Sequence, residues 1–494
     1  MDSLDLRLPG YMVYCVAISC LGSFSSGWVI GSANVPGEAT HNCANGSAHV
    51  TSSVFPDCLP MNTSLWGFAV SSFCVGGLVA CLVGGAIQTK YGRKKTIIFN
   101  NIFWIIGGLL IAISVHPAMF IIGRVLCGIA CGLGSLATPT YVGEVSTVKA
   151  RGTMGTCNQF AIVIGILLAS LIGLPLANVP LWRINYAIVV IPAIAQFFLM
   201  ASCVESPCYL VSINHMEEAR ESLQKLRPGA NIENEFYAMV ELQMGIAAAS
   251  VICNPSTAGQ MGIEGEKDIF TSMEYGAKDS GVHESMNMIQ IFKDPLIRRI
   301  ALTVITLHII QQLIGMNAVM YYSTTIFSMS FDASMSMYMA IVTTTVNFAA
   351  TILSLILIDR MGRRPLLLIA EIGACIFSIL LIIGYVYSIG PLLIVSVFGY
   401  VVSFAIGVGP IPWMMASELT PVYASSSVGA IATATNWAMN FLIGQCFPVI
   451  FAAIKGYSFA IFAAVAALAI VFTYFKVPET KGRAVEEIVD GFRR

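Results

Sequence analysis

Seven carboxamide side chains, Gln159, Gln311, Gln312, Asn317, Asn347, Asn436 and Asn440, fall inside long apolar blocks of this sequence. A carboxamide both donates and accepts hydrogen bonds and carries no charge. Buried without a partner it costs free energy, so several that converge suit a neutral ligand covered in hydroxyls. Ile162, Phe404 and Trp413 lie near them in the chain and would cover the C–H face of such a ligand. Each amide taken singly fits a second role equally well, as a link between helices at about 0.6 kcal/mol. No residues have the spacing of a catalytic constellation. Glu205-Ser206-Pro207 lacks the flanking glycines of a nucleophile elbow. An enzyme is therefore not expected, and the reading calls for no metal and no cofactor.

The elements that must carry these amides are membrane spans. The chain has 494 residues, of which 56% are apolar and 11% charged, against about 25% charged in soluble domains. Its net charge of −1 points to no nucleic-acid partner. Twelve apolar blocks, at 11–33, 66–87, 96–114, 118–142, 154–177, 182–203, 299–327, 335–358, 366–387, 391–417, 427–451 and 456–476, mostly reach the roughly 20 residues that cross a bilayer core. Lipid offers backbone groups no partners, so these blocks are read as helices of an all-α membrane protein. The first is too long for a signal-peptide core. Lys90, Arg93, Lys94 and Lys95, then Lys149 and Arg151, then Arg360, Arg363 and Arg364 occupy loops on one side, whereas 34–65 has no Lys or Arg. By the positive-inside rule the basic loops and both termini are cytoplasmic.

The outward loop 34–65 contains two glycosylation sequons, at Asn45 and Asn62. It also holds Cys43 and Cys58, which can pair in an oxidising compartment or remain free thiols. The sequons make the plasma membrane the default location. The other cysteines lie mostly in apolar spans and behave as small hydrophobes.

A repeat divides the chain. Arg93 and Arg363 follow Gly92 and Gly362 at an offset of 270, while Glu144 and Glu418, and Glu205 and Glu479, are 274 apart. Residues 1–203 and 299–476 are thus two six-helix bundles. Between them, 204–298 is a linker with a short amphipathic helix at Met216 to Leu226 and a Gly-, Ser- and Asn-rich stretch, and 477–494 is a short tail. Parallel six-span repeats enclose their substrate site between the halves near the midplane.

The order of short motifs carries a resemblance over nearly the whole chain, apart from roughly 230–290. They are Gly92-Arg93-Lys94, Gly123-Arg124, Tyr141-Val142-Gly143-Glu144, Arg151-Gly152, Glu205-Ser206-Pro207, Gln311-Gln312 with Gly315 and Asn317, Tyr321-Tyr322-Ser323-Thr324, Asp359-Arg360, Gly362-Arg363-Arg364, Gly409-Pro410-Ile411-Pro412-Trp413, Asn436-Trp437 and Pro478-Glu479-Thr480-Lys481-Gly482. Together they resemble the sugar porter family of the major facilitator superfamily, most nearly its facilitative glucose transporters. The resemblance implies the twelve-helix major facilitator fold and alternating-access uniport of a hexose, glucose first among them. It implies substrate contacts from the seven amides with Ile162, Phe404 and Trp413. Tyr321 and Tyr322 would form an outer gate, their other reading being an aromatic belt. Arg93, Glu144, Arg151 and Glu205 in one half, and Asp359, Arg363, Glu418 and Glu479 in the other, would form an inner latch of salt bridges.

Proton-coupled relatives in that family carry an acid in span one facing an Arg in span four. Here Val29 takes the acid's place and Arg124 remains, which favours uniport over proton symport. A carrier of another sugar or polyol, a symporter with an unusual acid and a non-transporting sugar receptor are the alternatives. His308, one turn before Gln311, is read as structural before cavity-facing, and Glu371, near the start of span nine, as close enough to reach the interface. The family pattern is broken at Thr89, Cys208, Ile314, Ala405 and Ser425. Loss of an Arg at Cys208 and at Ser425 weakens the expected latch and favours an inward-facing resting state.

Overall fold

The computed structural model describes residues 8–43, 55–147, 149–244, 288–481, 483, 488–489 and 491–492. Asn45 and the side chain of Asp359 lie outside the described residues. Among the described residues, eleven continuous helical stretches are long and apolar enough to cross a bilayer. The last of them, Ser427–Lys476, is 50 residues long, far more than one crossing needs. It is two spans. The eleventh, Val422–Ile454, stops at Lys455, whose φ of 47° breaks the helix, and the twelfth runs over Phe459–Lys476. Phe447 stacks on Phe462 with ring centroids 5.9 Å apart, so the chain folds back on itself at this turn.

The other spans are Gly10–Gly31, Thr63–Tyr91, Arg93–Ala112, Pro117–Val145, Arg151–Gly173, Trp182–Ser202, Pro295–Phe327, Ala333–Met361, Arg363–Val386 and Gly390–Glu418. Several edges fall a few residues outside the apolar blocks, because capping rather than hydropathy sets them. Asn62 Oδ1 accepts from Leu65 N at 2.8 Å and starts span two. Asp294 Oδ1 accepts from Leu296 N at 2.8 Å and Ile297 N at 3.2 Å, with Pro295 at the first helical position of span seven. In the linker, helices form at Pro207–Ser212, Met216–Leu226, Glu233–Met244 and Met288–Lys293.

Three spans are broken where the site lies. Span one is divided at Cys20. Span seven is divided at Gly315, whose φ of 100° is open only to glycine at low cost, and a Cβ there would come within 2.5 Å of the Phe462 ring. Span ten passes through a π-helical turn, Phe404–Val408, before Ile411–Glu418.

One end of the bundle carries the basic loops; the other carries 34–62, where Cys43 and Cys58 are joined with Cα atoms 5.6 Å apart. The halves meet toward the disulfide end. Spans two and eleven cross there, with Gly77 beneath the Trp437 indole and Ser71 against Gly444. Phe160 of span five meets Phe348 of span eight at 5.4 Å, near mid-span. Glu371 corrects the sequence reading. Instead of reaching the interface it is fully buried and accepts a 2.8 Å hydrogen bond from Thr473 Oγ1 of span twelve, because the residues around it in span nine pack inward against that helix.

Candidate functional site

The site is built on backbone carbonyls that span ten cannot satisfy. A helical carbonyl accepts from the N–H four residues on. Pro410 and Pro412 have no N–H, so the carbonyls of Ile406 and Val408 lose that donor. Gly409 N bonds Phe404 O, five residues back, at 2.9 Å, which widens the turn. An orphaned carbonyl in lipid costs several kcal/mol. Neighbouring spans supply the missing donors. Ser354 Oγ of span eight donates to Ile406 O at 3.1 Å, and Gln311 Nε2 of span seven donates to Val408 O at 3.1 Å and to Gly409 O.

From Gln311 an amide chain runs in one direction. Asn317 Nδ2 donates to Gln312 Oε1, Gln312 Nε2 to Asn436 Oδ1 at 3.0 Å, and Asn436 Nδ2 to Gln311 Oε1 at 2.6 Å. The break at Gly315 brings Gln312 and Asn317, well apart in azimuth on a straight helix, onto one another. Asn436 Nδ2 also lies 3.2 Å from His308 Nδ1, which makes that nitrogen an acceptor and places the ring proton on Nε2. His308 is fully buried, its Nε2 has no hydrogen-bond partner, and its ring meets Trp413 edge-on at 4.8 Å.

Asn440 continues the same face of span eleven and accepts from Tyr321 OH at 2.8 Å; one turn further, Gly444 O accepts from Tyr322 OH at 2.9 Å. Both tyrosines are buried and bonded within the protein, which excludes the aromatic-belt reading. Of the other expected contacts, Asn347 is buried, with its carbonyl accepting from Thr351 Oγ1, and Ile162 and Phe404 are half-buried. Gln159 is exposed on span five and takes no part in the amide chain, and Trp413 is 41% exposed. The structure thus joins four amides of one half, adds Asn440 beside them, and leaves the other half's amide open.

Two elements escaped the sequence reading. Ser354 could have been found from the prolines that orphan Ile406. Asn34 carried no signal. Its Nδ2 donates to Ser323 Oγ at 2.6 Å, and its Oδ1 accepts from Thr324 N at 3.2 Å and Thr324 Oγ1 at 3.0 Å. One buried side chain thereby clasps span one to the second segment of span seven, across the two halves.

Arg124 is fully buried and faces no carboxylate among the described residues. Its Nη1 donates to Val29 O at 2.9 Å, its Nη2 to Val70 O at 2.7 Å, and its guanidinium lies 4.9 Å from the Phe73 ring centroid. Carbonyl dipoles and an aromatic face take the place of a counter-ion.

At the basic end each half builds the same cluster. Glu205 accepts from the N–H groups of Arg93 and Lys94 at 3.1 and 3.0 Å, capping span three from outside; Glu479 does this for Arg363 and Arg364 at 3.0 and 3.1 Å, capping span nine. A carboxylate at a helix N-terminus is stabilised by the helix dipole. Burial raises the Glu479 pKa, but four backbone N–H donors outweigh it and hold the carboxyl below its ordinary 4.5. Gly92 and Gly362 sit at φ 88° and 92°, and a Cβ would come within 2.6 Å of Glu205 and 2.8 Å of Glu479. Arg93 pairs with Glu144 at 2.8 Å, and Arg363 with Glu418 at 3.0 Å. Ser206 and Thr480 hydroxyls donate to those same acids. Every one of these contacts lies within one half. Arg151 is exposed and stands outside its cluster. At Cys208, burial and the neighbouring Glu144 push the thiol up to about 11.

A model of the sugar (and other) transporter family matches residues 15–259 and 247–492. The chain belongs to this family. It is 34% identical to solute carrier family 2, facilitated glucose transporter member 4 of Mus musculus, over 99% of this chain and 92% of that one. It is 32% identical to member 2 of Rattus norvegicus, over 99% and 95%. Among solved structures it resembles the proton:xylose symporter XylE bound to 6-bromo-6-deoxy-D-glucose, with a TM-score of 0.72, 24% identity and 98% and 99% of the two chains covered. A partially occluded, inward-open form of the xylose transporter XylE from E. coli gives 0.71 at 23% identity, over 96% and 100%. The fold of this family member is the twelve-span major facilitator arrangement, and the protein is a multi-pass membrane transporter rather than an enzyme.

Proposed function

We propose that this transporter carries a hexose, glucose first among the candidates, down its gradient by alternating access. The observation that carries the reading is the amide chain Asn317–Gln312–Asn436–Gln311. It carries uncharged donors and acceptors on the broken span seven and on span eleven, against the carbonyls of span ten and beside a half-exposed Trp413. A sugar entering from the basic end would exchange some of these internal bonds for bonds to its hydroxyls. Gln159 with Ile162 would meet it from the other half, and Asn347, Phe404 and Asn440 would complete the wall. Uniport rests on Arg124, which donates to two backbone carbonyls and faces no carboxylate among the described residues.

In this reading the basic end faces the cytoplasm and the disulfide end the exterior, with the plasma membrane as location. Residues 1–203 and 299–476 are the two moving bodies, 204–298 the linker and 477–494 the tail. The conformation is inward-facing. Contacts between halves gather at the disulfide end, where Asn34, Tyr321 and Tyr322 act as the outer gate. Glu144, Glu205, Glu418 and Glu479 with Arg93 and Arg363 are the latch elements, each cluster waiting to meet the other when the inner end closes. Arg151 and Asp359 join them in that closed state.

Uptake of radiolabelled hexoses into cells deficient in hexose transport tests this, with competing sugars and a protonophore. Saturable glucose uptake that ignores the protonophore is expected. Uptake abolished by the protonophore would reject uniport, and no hexose uptake would reject the substrate class.

A further inference from the structure

The two halves repeat each other at the basic end, and the lipid-facing surface of the first half carries an apolar groove. Spans three and six leave a groove of about 420 Å³ lined by Ile102, Ile105, Ile106, Ile194, Phe197 and Phe198. Every lining side chain is hydrocarbon, and Ile102, Ile106, Ile194 and Phe198 are exposed. Span six is interrupted between Ala187 and Val190, where Val189 and Val190 pack on Gly108 of span three, and it ends in a 3₁₀ turn at Met200–Ser202, held to span three by Lys94 on Ala201 O. Span twelve, its repeat, is one uninterrupted helix fastened to span nine by Cys375 Sγ on Ala463 O and Thr473 Oγ1 on Glu371.

The groove leads to an ammonium. Lys95 lies seven residues before Ile102, within about 20° of the same helix face and about 10 Å nearer the basic end. Of the three consecutive cations there, Arg93 is paired with Glu144 and Lys94 Nζ is held by Ala201 O at 2.9 Å. Lys95 is exposed and bonds no protein group among the described residues. At the same level, Tyr14 OH and Ser202 Oγ meet at 2.9 Å, an exposed polar pair suited to a headgroup region. In the second half the position 270 residues on is Pro365. The lysine at this position is therefore particular to the first half.

We propose that this surface binds an anionic phospholipid, one acyl chain in the groove and the headgroup on Lys95. The basic end faces the leaflet rich in such lipids in the orientation argued above, and a juxtamembrane cation attracts them. The site is separate from the amide chain.

Native mass spectrometry of the full-length protein, from nanodiscs containing equal phosphatidylserine and phosphatidylcholine, tests the proposal. Wild type should retain phosphatidylserine about fivefold over phosphatidylcholine, the factor given by the ~1 kcal/mol expected per juxtamembrane lysine. Lys95→Gln should bring the ratio to parity, and Ile102→Trp, which fills the groove, should lower retention of both lipids. Equal retention by wild type, an unchanged preference in Lys95→Gln, or undiminished binding in Ile102→Trp would each overturn it. Retention is read on folded protein without transport, so failure of the hexose reading would leave this result standing.

Discussion

At the level of the site, the first half of the molecule presents a buried charge and the second a chain of amides. In the first, the buried polar centre is Arg124, fixed by two carbonyls and an aromatic ring, and the facing Gln159 is open. In the second, a directional chain of four amides ends on Val408 O, which Pro412 leaves without a donor, and on Gly409 O. At the basic end the same two halves are nearly superimposable in chemistry, with Glu205 and Glu479, Ser206 and Thr480, and Gly92 and Gly362 in matching roles. The repeat has kept what fastens helices together and diverged where helices must bend. Binding groups gather around the breaks of spans seven and ten, because a break both exposes carbonyls and leaves room for a side chain to answer them.

The sharpest way to break this contrast is Gln311→Ala. It strips donors from Val408 O and Gly409 O and a partner from Asn436, so it should lower the stability of the detergent-purified protein by about 3 kcal/mol, read from unfolding, and abolish uptake. A variant as stable as wild type would show that the span-ten carbonyls need no such donor. Asn34→Ala removes three hydrogen bonds between the halves and should favour the outward-open form by about 2 kcal/mol. A cysteine at Ser71, buried against Gly444, should then react severalfold faster with an impermeant thiol reagent added from outside. Gln159→Ala should behave oppositely to Gln311→Ala. With no internal bond to lose, its unfolding should match wild type within about 0.5 kcal/mol, while KM rises about tenfold, equivalent to about 1.4 kcal/mol.

The smallest effects are expected where the halves agree. Glu205→Gln and Glu479→Gln should each cost about 1 kcal/mol and by similar amounts; a large difference would mean the repeat is not energetically equivalent. Glu479 has a lowered pKa. Its contribution is complete above the ordinary carboxylate value of 4.5 and is lost as pH falls through the lowered one. Glu479→Gln should therefore flatten part of the acid limb of the stability profile.

Spans, repeat and linker helix were legible because they rest on block length and motif order. Met216–Leu226 forms over the residues its polar–apolar pattern marks, and Gly315 breaks span seven where a glycine between Gln312 and Asn317 makes a break useful. What could not be read is azimuth. A soluble helix declares its inner face by hydrophobic contrast, but a span is apolar on every side, so nothing local says that Glu371 points at Thr473 or that Asn34 reaches Ser323. Those contacts join residues 102 and 289 positions apart. The direction of the amide chain was equally hidden, since it depends on which carbonyls Pro410 and Pro412 orphan. The sequence does contain that clue, two prolines separated by one residue.

Tracer counterflow in proteoliposomes addresses the central claim most directly. Vesicles loaded with unlabelled glucose, with no pH or ion gradient, should transiently concentrate labelled glucose, and Gln159→Ala and Gln312→Ala should each slow that overshoot at low sugar. Overshoot that appears only when a proton gradient is imposed, or that both variants leave intact, would contradict a passive carrier built on these amides.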